Sequence, residues 1–376
     1  MTEEIKQASK DREWAGRAKK WIARGRQQGG TLLNRALREI GEALQGAKDL
    51  RIRELFNKES GAEHPFWVIV SKEISDHVKS WRFIILLCLI ALTCLGSLYS
   101  ALTGIGDAVK PNSPEGAFFF LKLFTVSDGT LPSYVVFVSF LGPLLGIGLG
   151  FDAVNSEYNK GTLSRIMSQP IHRDYLINAK FTAALVVVSV LFFALAFLVM
   201  GIGMISIGVP PTLEEFMRTL VFILVSIVYV AFWLNLSILF SVRFRQPATS
   251  ALSAIAIWVF FSVFYGMIVN VVARITQPAV YAGTGKIIAH QKFILFLQDL
   301  SPSQLFSDAT LTLLMPSVRS LGPLTQAQVV GAIPSPLPLG QSLLLVWPQL
   351  TGLVAATVIC FALSYVYFMR KEIRSR

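Results

Sequence analysis

Six apolar runs, each about as long as a bilayer is thick, limit what this chain can fold into more than any other feature. A helix needs roughly 20 apolar residues to cross the hydrocarbon core. Windows at about 83–105, 131–154, 179–208, 219–242, 248–273 and 349–369 meet that length. The fifth, "SALSAIAIWVFFSVFYGMIVNVV", is the cleanest, and the last stops at "RKEIRSR". The third is long enough to need tilt or an interfacial end. Lipid offers no hydrogen bonds to a bare backbone, so a spanning segment of this length is a helix. The expected fold class is therefore an all-α integral membrane protein with six transmembrane helices. Composition agrees, with 15% charged residues against about 25% in a soluble domain.

Charge orients the spans. With the N-terminus in the cytoplasm, 27 of the 34 Lys and Arg fall on the cytoplasmic side, as the excess of Lys and Arg in inner loops requires. The other side carries Lys110, Lys122, Arg218, Arg274, Lys286, Lys292 and Arg319, balanced by seven acids. The net charge of +11 thus reads as topology, and nucleic acid is not expected as a partner. Both termini are expected in the cytoplasm of a multi-pass protein of the bacterial plasma (inner) membrane.

The regions outside the spans divide the chain further. Residues 1–63 form a basic extension in which Trp14, Ala18, Trp21 and Ile22 share one helical side among Arg and Lys. Such a pattern suits a solvated tail or a helix lying on lipid, and no cleavable signal peptide is expected in so polar a stretch. Residues 64–82 put Phe66, Val70, Ile74 and Val78 on one face, with Trp67 and Trp81 as interface anchors. They read as an amphipathic elbow helix leading into spans one to five, residues 83–273. Residues 274–348 read as an extracytoplasmic loop, with one or two helices separated at Ser301-Pro302 and a Pro- and Gly-rich cap. The last span and a basic tail occupy 349–376.

Several chemistries lack their residues. Cys88, Cys94 and Cys360 lie in apolar runs and offer neither a disulfide framework nor zinc spacing. Near "AGTGKII", Val280 stands where a phosphate-binding loop needs its first Gly, and Ile287 follows Lys286. No catalytic, metal or cofactor-binding residue is expected. Met200 and Met204 are one turn apart and read as packing residues. Spans three and five have no charge in their central stretches, whereas an ion-driven transporter usually carries one. Gly142, Gly146 and Gly150 make two G-x-x-x-G steps that favour close helix packing.

One polar segment interrupts the apolar pattern between spans two and three: "NSEYNKGTLSRIMSQPIHRDYLINAK", 155–180. Leu163, Ile166 and Met167 have the spacing of a one-turn apolar face, Thr162 lies beside them, Gly161 permits a sharp turn, and Pro170 ends the helix. Either a docking knob for a partner groove or a helix resting on headgroups fits those residues.

The stretch "GFDAVNSEYNKGTLSRIMSQPIHRDYLINAK" resembles the coupling-helix region of type-2 ABC exporter membrane subunits. The matching positions are Glu157, Gly161, Thr162, Leu163, Ser168, Pro170, Ile171, Arg173 and Lys180. "KEISDHVKSWRF" is similar to the same family's elbow segment at Lys72, Glu73 and Arg82. The long loop before the last span is similar to the branch serving maturation of multi-copper enzymes and nitrous-oxide reductase. The resemblance implies a coupling helix over 155–170, with Glu157 and Arg173 framing the apolar knob Leu163, Ile166 and Met167. It implies a separate cytoplasmic ABC ATPase subunit that holds the ATP and Mg, a second permease copy or paralogue forming a dimer, and lipid around the spans. The function it implies is export of an unidentified substrate, with no enzyme activity in this chain. A non-transporting membrane scaffold of an envelope assembly and a secondary transporter are the alternatives.

Overall fold

The computed structural model describes residues 64–108, 118–163, 172–208, 210–278, 283–318, 320–321 and 336–370. The basic extension 1–63, and with it the helical side of Trp14 to Ile22, lies outside the described residues. Among the described residues the regular elements are all helical.

Six helices are long and apolar enough to cross a membrane: Trp81–Gly104, Tyr134–Asn159, Arg173–Ile207, Leu213–Arg243, Pro247–Ile275 and Trp347–Arg370. They coincide with the six sequence windows, and local signals explain their ends. Thr212 caps the fourth span with a reciprocal capping box: its hydroxyl accepts from the Glu215 amide while the Glu215 carboxylate accepts from the Thr212 amide. Gly208 ends the third span with φ of 77°, the left-handed conformation that suits a glycine after a helix. Pro247 opens the fifth at a position where its missing N–H costs nothing.

The fourth span is the hub. Tyr229, Val230, Trp233 and Leu234 in its middle are buried, and the second, third and last spans lie against it. The fifth span is nearly bare, burying only Ser250, Ala254, Trp258 and Val269. A π-helical turn at Phe260–Phe264 interrupts it, a feature that in general marks strain or function.

Close approach of spans two and four rests on the glycines. A methyl group on Gly146 would lie 2.7 Å from the Val230 carbonyl oxygen, and one on Gly150 would lie 2.8 Å from that of Leu234. On Gly142 it would meet side chains alone, the nearest that of Val230 at 3.1 Å. Backbone-to-backbone contact of this kind is what small residues at a helix seam allow.

The segment between spans five and six carries the expected pair of helices. Two helices, Thr284–Gln298 and Pro302–Leu314, divide at Ser301-Pro302 as the sequence suggests, yet they fold back along the spans. Thr276 Oγ1 lies 3.0 Å from His290 Nε2 at the end of span five, and Tyr265 Oη donates to the Leu297 carbonyl at 2.6 Å. The hairpin turn thus reaches the level of Tyr265, about 15 Å down the span at 1.5 Å per residue. Phe306 then stacks on Tyr229 at 4.3 Å between ring centroids, and Leu305 packs near Gly352. Apolar residues spaced for a helix face bury against neighbouring helices wherever those offer a seam, and spans four and six offer one.

Candidate functional site

The basic end of the bundle gathers a charge cluster from three separate elements. The amphipathic helix Pro65–Lys79 lays Val70 against Ala179 and Ala183 of the third span. Small alanines let the two helices come close, and this places Glu73 beside Lys180. Trp67 and Trp81 remain exposed, as side chains anchoring at an interface would be.

Lys180 is the centre. Its side chain is 5% exposed, and its ammonium donates to Glu73 Oε2 at 3.0 Å and to Glu157 Oε1 at 2.8 Å. Lys72 sits at the solvent edge, 2.9 Å from Glu73 Oε1, 3.2 Å from Asp76 and 3.9 Å from Glu157. Both carboxylates are therefore shared by the same two lysines. Burial alone would raise the Glu73 carboxyl, but the Lys180 charge and the hydrogen bonds from Lys72 and Lys180 outweigh it and hold Glu73 below its ordinary value. Burial would likewise lower Lys72, and its bonds to Glu73 and Asp76 overcome that and raise it. His77 is pushed down by burial, ahead of the opposing acids, so the cluster's positive charge belongs to lysine.

The segment leaving span two is fastened on its other sides. Arg82 reaches Asp152 at 2.6 Å and lies over the Phe151 ring. Ser241 of the fourth span accepts from the Val154 and Asn155 amides at 2.9 and 3.2 Å. Asn159 donates to the Arg245 carbonyl. The chain then forms the short helix Asn155–Asn159 and turns at Gly161, whose φ is 69°.

The expected docking residues separate here. Glu157 and Leu163 do not stand on an outward rim. The Glu157 carboxylate points inward to Lys180, and Leu163 is 2% exposed in the core. Gly161, Thr162 and Arg173 are exposed. Ile166, Met167 and Pro170 lie outside the described residues. Lys72, Glu73 and Arg82 belong to the ion pairs just described. Lys180 was legible as the lysine opening span three, but its pairing was not: it sits in a polar stretch where a loop cation is unremarkable. Ser241 gave no signal at all. No cluster of His, Cys, Asp and Glu that could hold a metal occurs among the described residues.

The opposite end has its own buried cation. Arg218, fully buried, bonds Glu214 at 3.0 Å, the Leu313 carbonyl at 2.9 Å, Ser342 Oγ at 3.2 Å and the Leu337 carbonyl. Its guanidinium also lies over the Phe118 ring. One side chain thereby ties the fourth span to the hairpin and to the segment before the last span.

Residues 67–373, which hold all six spans and both charge clusters, match the ABC-2 family transporter proteins. The chain belongs to this family. It is similar to a probable ABC transporter permease protein, NosY, of Pseudomonas aeruginosa, at 23% identity over 217 residues, covering 56% of this chain and 72% of that protein. An ABC-2 family member with six such helices is a multi-pass membrane protein, the membrane subunit of an ABC transporter.

Proposed function

We propose that this ABC-2 family member is an exporter permease driven by a separate cytoplasmic ABC ATPase, which docks on the segment 155–170. ATP and Mg belong to that ATPase, and two permeases, identical or paralogous, form the working pair. The observation that carries the reading is Lys180 held between Glu73 and Glu157, because it makes the docking segment, the amphipathic helix and the third span move together. A push on the segment after Glu157 reaches the third span through Lys180 and the amphipathic helix through Glu73. Ser241 and Asp152 carry the same push to spans four and one.

Two sets of residues then have different roles. Glu157 and Leu163 hold the segment to the bundle, while Ile166 and Met167, framed by Arg173, meet the ATPase. Co-purification from the native membrane tests this assignment. The wild-type protein is expected to carry ATPase activity, and Ile166→Asp with Met167→Asp to lose it while keeping wild-type thermal stability. A wild-type protein without ATPase, or a double variant that retains it, refutes the docking.

A further inference from the structure

We infer that the cleft between the outer part of span five and the helix Thr284–Gln298 is a binding site for an anionic phospholipid. The cleft holds about 920 Å³ and is open to one side. The polar groups lining it are Arg274, His290 and the carboxamides of Asn270, Gln277 and Gln291. Ile287, Ile294 and Leu295 of the helix Thr284–Gln298 add apolar lining.

Charge selects the ligand's sign. From Gly266 to Gln298 the sequence holds Arg274, Lys286 and Lys292 and no Asp or Glu. Among the described residues none of the ion pairs engages Arg274. Its guanidinium is exposed toward the cleft with its fork of donors open, the geometry that suits a phosphate. His290, tied to Thr276, and the carboxamides supply further hydrogen-bonding groups beside it.

Position selects an amphiphile over a soluble anion. Arg274 stands at the end of the fifth span, one residue before its terminus. Below it the span exposes Met267, Ile268 and Val271, an apolar track that an acyl chain can follow toward the bilayer centre. A headgroup phosphate at Arg274 and a chain along that track engage the two ends of one amphiphile. This inference is independent of how the basic end couples to an ATPase.

Native mass spectrometry of the full-length protein in mild detergent tests the site. The protein is titrated with phosphatidylglycerol, with phosphatidylcholine and with inorganic phosphate. Phosphatidylglycerol is expected to bind preferentially. Arg274→Glu should weaken it about 10-fold, the size expected for a basic contact at a charged lipid surface, and Arg274→Lys should retain most of it. Millimolar phosphate should not displace it. The inference is overturned if Arg274→Glu binds as wild type, if Arg274→Lys loses as much as Arg274→Glu, or if phosphatidylcholine binds equally. Displacement by phosphate would assign the cleft to a soluble anion. A disulfide between two copies of Arg274→Cys in native membranes would assign it to a second copy of the chain. Either result overturns the lipid reading.

Discussion

Lys180 and Arg218 are both buried cations that gather distant parts of the chain, yet they do so with different partners. Lys180 is surrounded by carboxylates, and those carboxylates have a second lysine, Lys72, within reach. Arg218 is surrounded mostly by carbonyls and a hydroxyl, each fixed to the backbone of the hairpin or of the segment before the last span. A lysine ammonium is a compact charge on a flexible stem, whereas guanidinium is a rigid planar fork. The basic end can therefore shift its pairings without stranding a charge. At the other end, any sliding of the hairpin breaks bonds that have no substitute. The first arrangement suits a joint and the second a clamp.

The hardest blow to the joint is Lys180→Met. Removing one partner of a buried ion pair strands the other charges and costs about 3–5 kcal/mol, here with two carboxylates affected. Lys72 offers partial cover, so the observed loss of thermal stability should lie toward the lower part of that range. A loss near zero would mean that Lys72 replaces Lys180 completely.

Arg218→Lys examines the clamp. A lysine cannot reach Glu214, Leu313, Leu337 and Ser342 together, and stranded buried acceptors cost about 1–3 kcal/mol. Limited proteolysis should show faster cleavage between 315 and 338, with the basic end unaffected. If both ends loosen equally, they are not separate devices.

Between the two ends lies the seam of spans two and four. Gly146→Ala should destabilise by about 1–3 kcal/mol, the usual cost of overpacking, because its methyl would strike backbone. Gly142→Ala should cost less, since only a valine side chain must give way. Equal effects at the two positions would contradict the close contact described for Gly146.

The smallest effect is that of pH, and it acts on the basic end. Glu73 is held below its ordinary value of 4.5 in the folded protein, so the unfolded chain binds more protons near that pH. Its contribution to stability is complete above pH 4.5 and is lost as the pH falls through the lower folded value. Lys72 acts oppositely. Its contribution is complete below 10.5 and is lost as the pH rises past the folded value. Melting curves between about pH 3 and 7, roughly the window of carboxylate titration, should flatten in Glu73→Gln and keep their slope in Arg218→Lys.

Much of this architecture was legible in the sequence because lipid imposes a simple requirement, length plus apolarity, and each span satisfies it alone. The G-x-x-x-G steps were also local, and their partner span was the only missing piece. The folding back of 284–314 was hidden. An amphipathic helix shows that it buries a face and not against what, and Phe306 lies 77 residues along the chain from the Tyr229 it stacks on. The inward turn of Glu157 was hidden for the same reason. Its position in a polar segment fits a rim equally well, and only the proximity of Ala179 and Ala183 to Val70 brings Glu73 and Lys180 together to receive it.

The most direct test of the joint uses a pair of spin labels, at Asp76→Cys on the amphipathic helix and Arg370→Cys at the end of span six, in protein lacking its native cysteines and purified with its ATPase. Their separation is measured with and without ATP and vanadate. The account predicts a nucleotide-dependent change in distance that disappears in Lys180→Met, although the ATPase remains bound and continues to hydrolyse ATP. The same change in Lys180→Met as in the parent would contradict it.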